Sequence, residues 1–325
     1  MTTSFAAGNL QWLGIGKETQ NGVAATAPTT WVPIDSPQYT PVPQVMTDQA
    51  LRGMMGLDYN QQIGVITGTF AYKTYLYSDS VFPHLLSILG YPDAVSGAAD
   101  PYTHKTALTS LGNGQPPSYT LFYNDGSGVV RPLRGALPSS VKFTIKNSGL
   151  VEIDVTWVTF RMGEPVTVLN TPSLDMPVPS WTAIFSVGGV DLTKYSEMEI
   201  EYKRDTKPGE ALTGTQDPPF IYAAGLEVTG SFTGVYQGAL DNDYTDFLAN
   251  TQPSLVITLS PEGDSEHSLV LQHSRVAYDV ASFTGTTSYM EVKATTKMLM
   301  NATDALDGMM SPVLATLTSP VSTAY

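Results

Sequence analysis

One strand-like heptad is written twice in the chain. Residues 64–70 read GVITGTF and residues 226–232 read LEVTGSF, an offset of 162 positions. At that offset Ile66, Gly68 and Phe70 fall on Val228, Gly230 and Phe232. The register continues into YSDSVFPHLL (77–86) and ALDNDYTDFL (239–248), where Asp79 meets Asp241, Phe82 meets Tyr244, Leu85 meets Phe247 and Leu86 meets Leu248. Both segments read as strand, break and short helix. Ser78 or Asp79 is expected to cap the first helix and Asp241 the second, with Asp243 where the helix dipole favours negative charge. Gly90 is expected to end the first helix.

A second match, VKFTIKNSGLVEIDVTW (141–157) with YDVASFTGTTSYMEVKA (278–294), runs at an offset of 137. Each half reads strand, turn, strand. Val151, Ile153, Val155 and Trp157 alternate with Glu152, Asp154 and Thr156; Met290, Val292 and Ala294 alternate with Glu291 and Lys293. Period-two patterning of this kind puts one face in a core and the other outside it. The fall in offset places an insert in the first copy near 91–118, a Gly-, Pro- and Ser-rich stretch without periodicity that reads as a surface loop. Ahead of each TG strand stands another: SEMEIEYKRD (196–205) alternates cleanly, and TPVPQVM (40–46) holds the same place with weaker patterning. The expected organisation is an arm at 1–30, a first unit at 31–165, a proline-rich linker at 166–177, a second unit at 178–300 and an arm at 301–325.

Charged residues make up only 14% of the 325, and 28 glycines and 23 prolines, with threonine and serine, fill the gap. That mix suits many short strands joined by turns, an all-β fold with one short helix per unit. The formal charge of −14 makes the chain a poor candidate for gripping nucleic acid, which needs clustered Lys and Arg, but leaves open a surface that nucleic acid passes without sticking. With no cysteine, disulfide scaffolds, Cys-zinc sites and thiol catalysis are excluded. The opening MTTSFAAGNLQWLGIGKETQ has no basic start and no long apolar run, so no secretory signal is expected, and no stretch approaches a membrane span.

Catalytic signatures are thin. His267 and His273 are too far apart along a strand to share a metal, His84 falls in the first helix and His104 in the insert. Gly14-Ile15-Gly16 has Thr19 where a dinucleotide loop needs glycine. The run Asp241-Asn242-Asp243 hints at calcium but lacks the glycine and distal glutamate of that loop, so helix capping is the simpler reading. No catalytic, cofactor-binding or metal-binding residues are expected, and no enzyme. Met54-Met55 and Met309-Met310 each follow a glycine and suit adaptable contacts between subunits.

Two similar sandwiches in tandem can pair edge to edge, and a fixed rotation at each junction closes a ring or runs into a helix. At this point the chain resembles a known family. Gly14, Gly16, Glu18, Thr19, Gly22 and Ala24, followed by Trp31-Val32-Pro33-Ile34, are similar to the start of major tail tube proteins of long-tailed (siphophage-type) bacteriophages. The resemblance implies rings of about six tube folds, here three chains of two folds each, stacked into a hollow cylinder lined by a β-barrel of about 24 strands. It implies a role as conduit for DNA ejection, assembly in the bacterial host cytoplasm, and partners among copies of itself and tape measure, terminator and baseplate proteins. The alternatives are another tail ring protein, such as a terminator or baseplate hub, and a β-sandwich binding module or adhesin. Under the resemblance, Glu152, Asp154, Glu227 and Glu291 are candidate lumen-facing acids that repel phosphate, the competing view being a solvated outer face. Met54, Met55, Lys207, Glu210, Met309 and Met310, on loops 47–62 and 203–219 and the C-terminal arm, are candidate inter-ring contacts.

Overall fold

The structure is a computed structural model that describes residues 7–50, 52–238, 241–264, 266–285 and 289–325. The first half runs β1 (Trp12–Lys17), β2 (Thr30–Val32), β3 (Asp35–Asp48), β4 (Asn60–Tyr75), α1 (Phe82–Leu89), β5 (Tyr102–Ala107), β6 (Tyr119–Asn124), β7 (Val130–Lys146) and β8 (Glu152–Phe160). The second half runs β9 (Ile184–Val187), β10 (Val190–Leu192), β11 (Tyr195–Pro208), β12 (Ile221–Val235), α2 (Asn242–Ala249), β13 (Leu255–Leu259), β14 (Leu269–His273), β15 (Val276–Gly285) and β16 (Met290–Met298), and β17 (Leu314–Ser319) closes the chain. Among the described residues no helix is long and apolar enough to cross a membrane.

Eight antiparallel strands form one continuous ladder in the order β3-β4-β8-β7-β11-β12-β16-β15. The same pairing order therefore occurs twice, and β7 against β11 joins the two sets. β7 is long enough to leave the ladder at its N-terminal half, where β6, β1 and β2 continue from it. A second sheet, β10-β9-β13-β14-β17-β5, covers the ladder with α1 and α2. The core lies between the layers. Trp157, Tyr119, Tyr202, Phe70, Phe82 and Phe143 are its largest sealed side chains.

The repeated heptad has a packing reason. Phe70 lies opposite Trp157, and Phe232 opposite Ala294; both shifts, 162 and 137, hold at once. Two residues earlier Gly68 faces Thr159 and Gly230 faces Thr296. A Cβ on either glycine would stand 2.8 Å from the threonine hydroxyl oxygen. The Thr–Gly–(Thr/Ser)–Phe pattern thus lets two strands approach beside a buried ring. The other strand of the second match does not follow. Val141 faces Val155, but Tyr278, its partner at offset 137, faces Thr296 and not Val292. Phe283 is the residue opposite Val292. Val141 and Val155 stand 14 positions apart in sequence and Phe283 and Val292 nine, so the second hairpin turns back in five fewer residues and its first strand is displaced against the match.

The α1 cap, the 91–118 stretch and the terminal arms need correction. The cap of α1 is Val81, with no side-chain cap bond; Ser78 and Asp79 are instead taken by the linker, Ser78 Oγ donating to Asp175 and Ser173 Oγ donating to Asp79 at 2.6 Å. The 91–118 stretch is not a bare surface loop: β5 runs through it, and His104, Thr106 and Ala107 are fully buried. The segments 1–30 and 301–325 are not free arms. β1 carries the buried Leu13 and Ile15, and β17 lies between β14 and β5 with Ala315 and Leu317 buried; residues 1–6 lie outside the described residues. Residues 239–240 and 286–288 of the matched segments lie outside them too. By contrast, Gly90 ends α1 in the left-handed region, and Asp241 caps α2 by accepting from the Asp243 N–H. That cap is locked by Lys194, whose Nζ sits 3.0 Å from Asp241 and 2.6 Å from Asp243, all three buried.

Candidate functional site: the open sheet face and its edges

One face of the eight-stranded ladder is turned away from the core, and alternation decides what it carries. Along β11 the even residues Met198, Ile200 and Tyr202 are buried while Glu197, Glu199, Glu201 and Lys203 are not; β8, β12 and β16 repeat the rule. The open face collects ten carboxylates: Asp35, Glu152, Asp154, Glu197, Glu199, Glu201, Asp205, Glu227, Asp279 and Glu291. It also collects seven of the ten lysines: Lys73, Lys142, Lys146, Lys203, Lys207, Lys293 and Lys297. Thr and Ser fill the space between them.

The four acids singled out from the sequence, Glu152, Asp154, Glu227 and Glu291, share this face. Sequence reasoning named Lys293 and Lys207 singly but did not see the lysines as a set beside these acids, which the same alternation would have found. Five lysines are held by carboxylates of the same chain: Lys73 by Asp154 (3.3 Å), Lys142 by Glu199 (2.8 Å), Lys146 by Glu197 (3.3 Å), Lys207 by Asp205 (2.6 Å) and Lys297 by Asp279 (3.3 Å). Neighbouring carboxylates, Asp154 first, raise the Lys73 pKa, so its charge is retained. None of the six arginines lies on the face. Arg52 is in the β3–β4 connection, Arg131 and Arg134 are in the part of β7 outside the ladder, Arg161 follows β8, Arg275 precedes β15, and Arg204 is buried on the core side, where desolvation lowers its pKa to about 10.

The ladder ends in two edges. Among the described residues the outer sides of β3 and β15 pair with no strand. Val42, Val45 and Met46 on β3, and Val280 and Phe283 on β15, are about half exposed there. At the joint inside the chain, between β7 and β11, the core-facing Val141, Phe143, Met198, Ile200 and Tyr202 are sealed, and Phe143 meets Tyr202 edge to face at 6.0 Å.

The candidate inter-ring residues divide. The β3–β4 connection presents Met54 and the fully exposed Met55, and the β11–β12 connection presents Leu212, also fully exposed. Lys207 is the last residue but one of β11, with Glu210 just beyond. These two hairpins lie side by side, since Ile66 N donates to Gln216 O and Gln216 Nε2 to Ile63 O. The β11–β12 connection is also tied to its own chain by Asp217, which pairs with Arg134 and Arg161. Met309 and Met310 stand elsewhere, near Asp307, which accepts from Ser110 N.

The residues of the GxGxE segment are structural. A Cβ on Gly14 would meet Pro28 at 2.7 Å, and one on Gly16 would meet the Ala27 carbonyl at 2.6 Å. The Glu18 carboxylate accepts from Ser118, Thr120, Gly22 N and Gly135 N, and burial raises its pKa. The histidines meet at no common site: His84 and His273 are each buried against a tyrosine, His104 bonds Asp93, and His267 lies between Asp100 and Asp264. Among the described residues no three His, Cys, Asp or Glu side chains are grouped so as to hold a metal.

A double-layered β-subunit with one polar open face and two unpaired apolar edges is built to join others of its kind. The chain belongs to the phage tail tube protein family, whose model matches residues 8–303. It is a structural protein of the virion tail, a tube subunit that stacks with copies of itself. No curated protein matches the chain.

Proposed function

We propose that the chain carries two tandem tube-fold units and that three chains close one ring, as in a siphophage-type tail. The carrying observation is the ladder order. Inside the chain β7 meets β11, and the ladder leaves β15 and β3 open at its ends, the strands in the same places of the two sets. Pairing β15 of one copy with β3 of the next repeats the internal joint. Three chains of eight ladder strands give about 24, and at roughly 4.8 Å spacing and 40° tilt these enclose a backbone diameter near 48 Å. Less the side chains, about 35–40 Å remains, wide enough for duplex DNA.

In this arrangement the open face lines the bore. Its acids outnumber its lysines, and most lysines are already paired, so a passing phosphate meets net repulsion and few free cations. The tips of the β3–β4 and β11–β12 hairpins, with Met54, Met55, Lys207 and Glu210, reach the neighbouring ring; Met309 and Met310 form a separate patch. Tape measure, terminator and baseplate proteins complete the tail, which assembles in the host cytoplasm. Electron microscopy of the purified chain tests the reading. Tubes with three chains per ring and a bore near 40 Å are expected; six chains per ring, or stacked discs with β3 and β15 unpaired, would overturn it.

A further inference from the structure

The outer edge of β3 accepts hydrogen bonds but scarcely donates them. In β4, Ile66 N donates to Gln216 O and Leu76 N to Val151 O, both on the side away from β3. Odd-numbered residues of β4 therefore bond toward β3, and their partners Gln38, Thr40 and Val42 point inward. The backbone groups of Tyr39, Pro41 and Pro43 are left facing the open edge. Two of these three have no N–H to give.

The outer edge of β15 is the opposite. Tyr236 N donates to Met290 O, so even-numbered residues of β16 bond toward β12 and odd-numbered ones toward β15. That leaves Ala281, Phe283 and Gly285 pointing outward, each with its N–H. The internal joint supplies the register. Across β7 and β11, Val141 faces Tyr202 and Phe143 faces Ile200, in phase with Asn147 N donating to Ser196 O. Ile200 faces Gly230 as Pro41 faces Gly68, and Val141 faces Val155 as Phe283 faces Val292. Carried over, Phe283 falls opposite Pro43 and Gly285 opposite Pro41. Two outward N–H groups then meet two outward carbonyls. A second β3 turned about Val42 would set Pro41 against Pro43 twice, with no N–H at either place.

We propose that Pro41 and Pro43 select the partner strand: they make the β3 edge refuse another β3 and take the β15 edge of a second copy. The inference rests on the ring reading above. It accounts for three prolines in one strand, Pro37, Pro41 and Pro43, beside Val42, Val45 and Met46, which otherwise present an apolar edge open to self-pairing.

The chain holds no cysteine, so introduced thiols report alone. Val42→Cys reads β3 against β3, and Val42→Cys with Thr284→Cys reads β3 against β15, at a pair whose internal counterpart is Lys142 and Glu201. Under mild oxidation Val42→Cys alone is expected to stay monomeric. With Pro41→Val and Pro43→Val added, covalent dimer should rise at least tenfold, and the Val42→Cys/Thr284→Cys chain should give a ladder of covalent multimers. Circular dichroism checks the fold, and the single proline replacements serve if the double variant does not fold. Dimerisation of Val42→Cys as fast with the prolines as without them would overturn the proposal. So would tubes of the Val42→Cys/Thr284→Cys chain in which the two introduced thiols never join, which would leave the tube reading standing. The expected thiol pattern without any tubes would support the edge preference and sink the ring.

Discussion

His84 and His273 are the most telling single residues, because their burial can be read out by pH. His84 Nδ1 faces the Val81 carbonyl at 3.1 Å and its Nε2 the Tyr72 hydroxyl at 2.7 Å; His273 faces the Pro312 carbonyl at 2.9 Å and the Tyr202 hydroxyl at 3.3 Å. Each ring donates from Nδ1 and accepts at Nε2, which is the neutral form. Burial lowers both pKa values to about 4. An unfolded histidine takes its proton near pH 6.5. The folded state is therefore undiminished above that pH and loses stability as pH falls from about 6.5 toward 4, on the order of 3 kcal/mol for each ring. Urea unfolding midpoints measured across this range should fall on acidification. His84→Gln is expected to flatten that fall by roughly half; an unchanged acid limb would contradict the assignment.

Among the elements, β17 and β3 show best where sequence patterning ends. β17 lies beyond the family match, yet its Ala315 and Leu317, with Val313 just before it, are buried in the core between the layers. Three buried apolar side chains contribute roughly 4–8 kcal/mol, comparable with a typical whole-domain stability of 5–15. Truncation after Asn301 should therefore abolish cooperative melting in calorimetry, not release an intact monomer; a sharp transition within a few degrees of the full chain would refute this. Ala315 and Leu317 alternate with Thr316 and Thr318 between Pro312 and Pro320, so β17 was legible as a strand, but its pairing with β14 and β5 was not, because those partners lie far away in the chain. The β8, β11, β12 and β16 faces were legible because alternation is local, and with them the placing of the four candidate acids on one sheet face. β3 read as weak for a reason now visible: its prolines face the open edge, where a strand can carry them. The α1 cap was missed because the linker, nearly a hundred residues on, takes Ser78 and Asp79.

At the scale of the whole molecule, the chain segregates its cations. Seven lysines and no arginine lie on the open face, among ten acids. Arginine grips phosphate through a planar fork, whereas lysine is a hydrated point charge that a neighbouring carboxylate can hold. Under the proposed ring, a bore lined this way would keep DNA from sticking without becoming so acidic that like charges strain the assembly. Freeing the lysines should therefore turn a conduit into a binder. Asp154→Asn, Glu197→Gln, Glu199→Gln and Asp279→Asn together release Lys73, Lys146, Lys142 and Lys297 and leave the lysines one ahead of the acids. Tubes of this variant are expected to retain short duplex DNA in sedimentation at about 50 mM salt. About four phosphate contacts give a logarithmic salt slope near −3.6, so affinity should drop roughly a hundredfold by about 200 mM. Unmodified tubes should retain almost none at either salt; equal retention by both would show that the paired lysines already hold phosphate, and the sliding surface would have to be sought elsewhere.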